Sequence, residues 1–500
     1  MNPLRFLLAL ALVLTGVAAR AAEDQGPPQM SPGAKPVQAE GQFGPDPSYD
    51  DKPYAPGEQL RIYGGKSAVP TPRPLLELGR PIYAGGPYKA SGGGFGDKNP
   101  TDQAFSIYGD WRNAIARIDD GVRLNSVAAT RVNLDVDWKF TGTERLHAFF
   151  RPLTEDGRFT RCEHANGGKT QCRSESDLRP ATLFFEGDLG ALASGWSGSY
   201  RSFDLPFAVG KIPLLFQNGI WLEDAFTGVA FTLPAKNSRL LDISNFDITF
   251  FAGFDDVDSG GVRDAAGKVN NNRAARLYGA TTFIEANRGY WELGYAYTDA
   301  RNQPGIGDQS YHNVGVSFTR RYGGWLSNSV RLIRNFGQSV DPGQRKTADG
   351  SLLLIENSLV TRRPLTLVPY LNVFVGQDRP QSVARDALAG GILKNTGINF
   401  ETDGLTGFPR LDDTANNTSG GALGIEYLFD LQHQIVVEWG AVRPHGDATA
   451  RSVQGRQDAL GIRYQQNLDK AWLFRVDLIT ADRVNAPDIA GIRFELRRKF

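Results

Sequence analysis

One pattern narrows the fold more than any other: apolar and polar residues alternate one by one through most of the chain from about residue 104 onward. In "TRVNLDVDWKF" (130–140), Val132, Leu134, Val136, Trp138 and Phe140 share one parity, and Arg131, Asn133, Asp135, Asp137 and Lys139 the other. A period of two puts neighbouring side chains on opposite faces of a strand, and no helix has that period. "RGYWELGYAYT", "QIVVEWGAV" and the closing "IAGIRFELRRKF" repeat it. With 57 Gly, 11% aromatics, two Met and two Cys in 500 residues, the chain reads as a turn-rich all-β protein. Lys plus Arg equals Asp plus Glu at 55 each, so no basic field for nucleic acid is present.

The connections add a second constraint. Short turns ("FTGTERL", "EANRGYW", "TRRYGGWL", "VTRRPLT", "FDLQHQI", "QNLDKAW") alternate with long polar loops, among them residues 155–179 and the stretch from Gln377 to Thr418. In an up-and-down antiparallel sheet alternate connections lie at opposite ends, so one end is trimmed and the other elaborated. That asymmetry predicts a transmembrane β-barrel with short periplasmic turns and long external loops, of about 18 strands with 16 as the alternative. The chain beyond its first residues holds no apolar run long enough for a membrane helix, but a tilted strand needs only about 9 to 11 residues.

The leading residues follow a different plan. Residues 1–21, with basic Arg5, an apolar run from Phe6 to Leu14 and small residues around Arg20, predict a secretory signal. Residues 22–70 are rich in Pro and Gly without period and predict a disordered periplasmic segment, 71–103 a lead-in, and 104–500 the barrel.

The last strand, apolar at alternate positions and ending in Phe500, resembles the closing strand of bacterial outer-membrane proteins. The resemblance implies an outer-membrane location and recognition of Phe500 by the barrel-assembly machinery. "FDLPFAVGKIPLLFQNGIWLEDAFTGVAF" (203–231), a strand with Gly210 and Lys211 running into a Pro-broken connection, resembles the place where porins fold a loop inward. The general layout is similar to carbohydrate porins and alginate-export porins. It implies Lys211, Gln217, Asn218, Glu223 and Asp224 as constriction residues.

The polar parity of the strands supplies further pore-lining candidates: Arg131, Asp135, Glu292, Glu438, Arg475 and Arg493. Their signs balance, unlike the basic lumen of alginate exporters, so the expected activity is passive or facilitated diffusion of small hydrophilic solutes, sugars being the default. The alternatives are export of a polysaccharide, or a plugged scaffold barrel whose tail and 377–418 loop bind a periplasmic or surface partner. Lipid, small solutes and a further copy of the chain are the other expected partners. Cys162 and Cys172, close in sequence in an oxidising compartment, predict a disulfide. The five His include no base beside a nucleophile motif, so neither enzymatic activity nor a cofactor or metal is expected.

Overall fold

The computed structural model describes residues 72–79, 103–264, 275–300, 306–359, 367–386, 388–429 and 432–500. The expected signal, the tail, most of the lead-in and the 360–366 turn lie outside them. Besides short strands such as Leu76–Gly79, the barrel strands are β1 (Ala104–Asp119), β2 (Leu124–Lys139), β3 (Arg145–Phe150 continued by Arg158–Ala165), β4 (Thr170–Arg173 continued by Pro180–Asp188), β5 (Pro206–Phe216) and β6 (Leu222–Ser238). Next come β7 (Ile243–Asp255), β8 (Arg276–Ala286), β9 (Gly289–Asp299), β10 (Tyr311–Tyr322), β11 (Leu326–Phe336) and β12 (Asp349–Leu359). The last six are β13 (Leu367–Arg379), β14 (Thr418–Leu428), β15 (His433–Pro444), β16 (Gln457–Asn467), β17 (Trp472–Arg483) and β18 (Ile489–Lys499). Each pairs antiparallel with the next, and β18 returns to β1 in register from Asp110↔Lys499 to Asp119↔Ala490. Gly109 and Phe500 exchange both backbone hydrogen bonds at 2.8 and 3.0 Å, which completes the closure. A closed barrel leaves no unpaired strand edge, the condition for a sheet in lipid.

The two parities differ as the sequence requires. Leu371, Leu423, Trp439 and Leu460 lie opposite one another on β13–β16 and are each 45% to 51% exposed. A continuous apolar row of this kind is costly in water and favourable against acyl chains. At the short-turn end Trp138, Phe140, Phe185 and Phe207 form a ring cluster with centroids 4.6 to 6.4 Å apart. Aromatic side chains at that level mark a membrane interface. The fold is therefore a porin-type barrel of the outer membrane.

Two expectations need correction. Residues 155–179 are not one external loop: 158–165 and 170–173 form a hairpin that extends the wall. The cause is the length of β2, whose lower half pairs with 145–150 and whose upper half needs 160–165 to satisfy its backbone. Cys162 and Cys172 sit opposite each other in that hairpin and are joined by a disulfide. In the 203–231 stretch the first strand begins at Pro206, after the helix α1 (Leu189–Ser197). Moreover, the supposed loop after Gly210 is largely strand: Lys211–Phe216 pair with Leu222–Thr227.

Candidate functional site

Two segments pack against the inner wall of the barrel and against each other. The first is the tip of the β5–β6 hairpin. Gln217 and Asn218 both take left-handed backbone angles, φ 52° and 55°, which reverse the chain tightly. The reversal carries the fully buried Trp221 onto the inner wall, where its indole N–H donates to Asn313 Oδ1 at 2.8 Å. Gly294 on β9 and Gly315 on β10 make room for that ring: a Cβ at either position would lie 2.6 Å from it.

The second segment is the long loop between β13 and β14, residues 380–417. Its Val383, Ala384, Leu393, Phe400 and Leu411 are 1% exposed or less, so the loop is packed inside the barrel. Its start runs parallel to the hairpin tip, with Val383 N–H donating to Trp221 O (2.7 Å) and Asp386 N–H to Glu223 O (2.9 Å). The Glu223 carboxylate lies between Lys394 (2.5 Å) and Arg385 (3.4 Å), and Asn395 Nδ2 donates to Asn218 O at 2.8 Å. The tip and the loop are thus one hydrogen-bonded body. Burial lowers the Lys394 pKa below the ordinary lysine value, the Glu223 partner offsetting it in part.

Further along, the loop crosses to the opposite wall. Glu438 on β15, with no exposed surface, accepts from Ile398 N–H and Asn399 N–H, both at 2.8 Å, and from the Tyr370 hydroxyl at 2.5 Å. Three donors on one buried carboxylate fix the loop's course. Glu401 then meets Arg463 (2.5 Å) and Arg475 (3.0 Å), and Asp403 meets Arg493 (2.5 Å). Asp477 on β17 is shared by Arg463, Arg475 and Arg493 at 2.6 to 2.9 Å. Burial alone would raise the pKa of Glu401 and Asp403, but these arginines outweigh it and hold both below the usual carboxylate range. The loop is ionised and clamped at neutral pH.

Between the loop and the wall lies a cavity of about 210 Å³ lined by Arg112, Arg131, Arg475, Arg493 and Arg497, with Glu401 and Asp403 among the other lining residues. Arg112 holds Glu495 at 2.6 Å, and Arg497 holds Glu495 at 3.0 Å and Asp110 at 3.4 Å. Arg131 differs. Its Nε donates to the neutral Asn133 Oδ1 at 2.8 Å and its guanidinium stands 5.7 Å from the centre of the Phe159 ring. Among the described residues no carboxylate lies within ion-pair distance of it.

The structure therefore brings Arg131, Arg475 and Arg493 to one cavity, and Gln217, Asn218 and Glu223 to the hairpin tip beside it. Glu438 anchors the loop. Asp224 is buried, accepting the backbone N–H of Asp258 at 2.9 Å, and Glu292 accepts from the Ser317 hydroxyl at 2.9 Å. Asp135 lies on the parity of Arg131, two pleats nearer the short-turn end, and does not line the cavity. Lys211 does not face the loop: it shares the parity of the exposed Val209 and Leu215, opposite to buried Ile212, and pairs with Asp256 at 3.1 Å. Sequence reasoning missed Arg385, Lys394, Glu401 and Asp403 as site residues. They sit in a loop with no period, and only the polarity of the 377–418 stretch marked it.

No family model matches the chain, and no curated protein matches it. The solved structures it resembles include three Pseudomonas aeruginosa proteins. OccK5 (OpdH) shares 13% identity, covering 79% of this chain and 98% of that one at a TM-score of 0.48. OccK2 (OpdF), solved with glucuronate, shares 11% over the same fractions at 0.49. OpdK, solved with vanillate, shares 12% over the same fractions, also at 0.49. Identities this low carry no solute from one chain to another.

Proposed function

Taking the chain as a porin-type outer-membrane barrel, we propose that it is a passive channel for small hydrophilic solutes, selective for those bearing a carboxylate. The single observation behind this reading is the arginine-lined cavity beside the inward loop, with Arg131 lacking a carboxylate partner among the described residues. A solute's carboxylate can take the place that an acidic side chain takes on the neighbouring arginines, and a guanidinium suits it by its planar two-donor edge. Transport needs no covalent step; flux follows the gradient and is filtered by the constriction. The sugar preference read from the overall charge balance is narrowed, because the balance is global while the cavity wall is locally basic. Phe500 keeps its proposed part in recognition by the assembly machinery.

The test is single-channel recording of the full chain in a planar bilayer, with the loop intact and with residues 380–416 deleted. Steady conductance of the intact channel, with anions favoured over cations and block by a small carboxylate, is the expected result. Silence of both proteins, each folded, would overturn the channel and favour a plugged scaffold. Conductance only after deletion would make the loop a closed plug.

A further inference from the structure

At the short-turn end the described connections are tight, with one exception. β8 turns into β9 on Asn287 and Arg288, and β6 into β7 on residues 239–242, but β4 reaches β5 through residues 189–205 and builds α1. This connector is closed on itself. Asp188 caps α1, its Oδ1 accepting Ala191 N–H (2.7 Å) and its Oδ2 accepting Leu205 N–H (2.8 Å). Ser194 Oγ accepts Arg201 N–H at 2.8 Å, and Leu189 N–H donates to Leu205 O at 3.1 Å. A segment so well organised would be expected to bury its apolar side chains. Instead Trp196 is 67% exposed, Tyr200 82% and Phe203 48%. In the nearby β6–β7 turn Leu240 is 93% exposed and Leu241 64%.

Position decides what covers them. On β4 the lipid-facing parity runs through Leu183 and Phe185 to Leu189, the first residue of α1. The helix thus begins on the outer side of the wall, beside the Trp138, Phe140, Phe185 and Phe207 cluster. The exposed patch is continuous with the surface already assigned to lipid. Its residue types fit the headgroup level, where Trp and Tyr rings sit half in hydrocarbon and long cationic side chains reach phosphate. Arg201 and Arg239 are exposed on these same segments, with Lys236 exposed at the adjoining end of β6, against Asp204 and Asp242. With so small an excess of positive charge, the apolar side chains must supply most of the binding.

We propose that α1, the return segment to 205 and the Leu240–Leu241 turn form an interfacial anchor in the periplasmic phospholipid leaflet. The proposal rests on the membrane reading of the barrel and is independent of any solute. The test uses the full chain in phosphatidylcholine bilayers with phosphatidylglycerol. Nitroxides are placed singly at W196C, Y200C and L240C, the two native cysteines being occupied in their disulfide. Collision with oxygen, which concentrates in lipid, is compared with collision with a water-soluble nickel chelate. L460C on the lipid-facing wall and K169C in the external hairpin are the references.

The expected result is oxygen collision exceeding nickel collision several-fold at positions 196 and 240, as at 460, with the reverse at 169. Y200C, a highly exposed position, guards against a folding defect in the other two. Water-like profiles at 196, 200 and 240 with a lipid-like 460 would overturn the anchor and leave the barrel reading intact. Spin–spin broadening between molecules would overturn it in favour of a second copy. A water-like 460 would overturn the membrane reading and the anchor with it.

Discussion

Arg131 concentrates the electrostatic question of the lumen. Arg112, Arg475, Arg493 and Arg497 each hold a carboxylate of the protein, whereas Arg131 has an amide and a ring. Arg131→Gln is therefore expected to lower the anion-to-cation permeability ratio severalfold while leaving the fold intact, read as the reversal potential across a salt gradient. The same substitution at Arg493 should behave differently, because it leaves Asp403 and part of Asp477 unpaired inside the barrel. Glu438 offers a complementary case. Glu438→Gln removes a charged acceptor from two backbone N–H groups and Tyr370, and should weaken loop docking by about 1–3 kcal/mol. The expected sign is flickering single-channel current; Tyr370→Phe, which removes one donor, should flicker less. Arg131, Arg475, Arg493 and Glu438 were all legible from parity alone, since strand alternation assigns a face to every residue. Which of them acts on a solute and which anchors a loop was not legible, because that depends on partners far away in sequence.

Among the elements, the 380–417 loop decides the most. Deleting residues 380–416 is expected to raise unitary conductance severalfold, since the narrowing goes with it, and to leave anions favoured, since Glu401 and Asp403 are removed from the wall arginines they neutralise. The loop also carries a pH response. Asp412 is pushed up to about 6, first by burial and then by neighbouring Asp413, against the lowering effect of hydrogen bonds from Ser452 and Thr414. A carboxyl raised in the folded state is protonated more readily there than in the released loop, so docking is strongest below the unperturbed value and weakens as pH rises through about 6. Limited proteolysis of the loop should thus be slower at pH 5 than at pH 7.5, and Asp412→Asn should flatten the difference. The sequence marked this loop by its lack of period but left its direction open. Its inward course is set by the wall, where Gly461 leaves space for Asn399 and Glu438 offers an acceptor. Residues 155–179 were misread for a related reason: Gly, charge and Cys masked a hairpin whose existence follows from the unpaired upper half of β2.

For the molecule as a whole, net charge is zero, so any ion preference comes from local arrangement. Screening provides a check: the Debye length falls from about 10 Å at 0.1 M salt to about 3 Å at 1 M. Anion preference should therefore fade between these salt concentrations, whereas the conductance gained by loop deletion should persist, being steric. The sequence by itself determined the all-β class, a strand count of about 18, the trimmed and elaborated ends and the two faces of the wall. These are consequences of a period of two and of turn chemistry, both local. Only the tertiary structure decided that the hairpin tip and the long loop meet inside the lumen, that Lys211 stays away from them, and that Arg131 has no carboxylate within ion-pair distance among the described residues. Closing the sheet brings β1 beside β18 and lets a loop from β13 reach residues on β15 to β18, and such contacts between distant stretches leave no periodic trace in the chain.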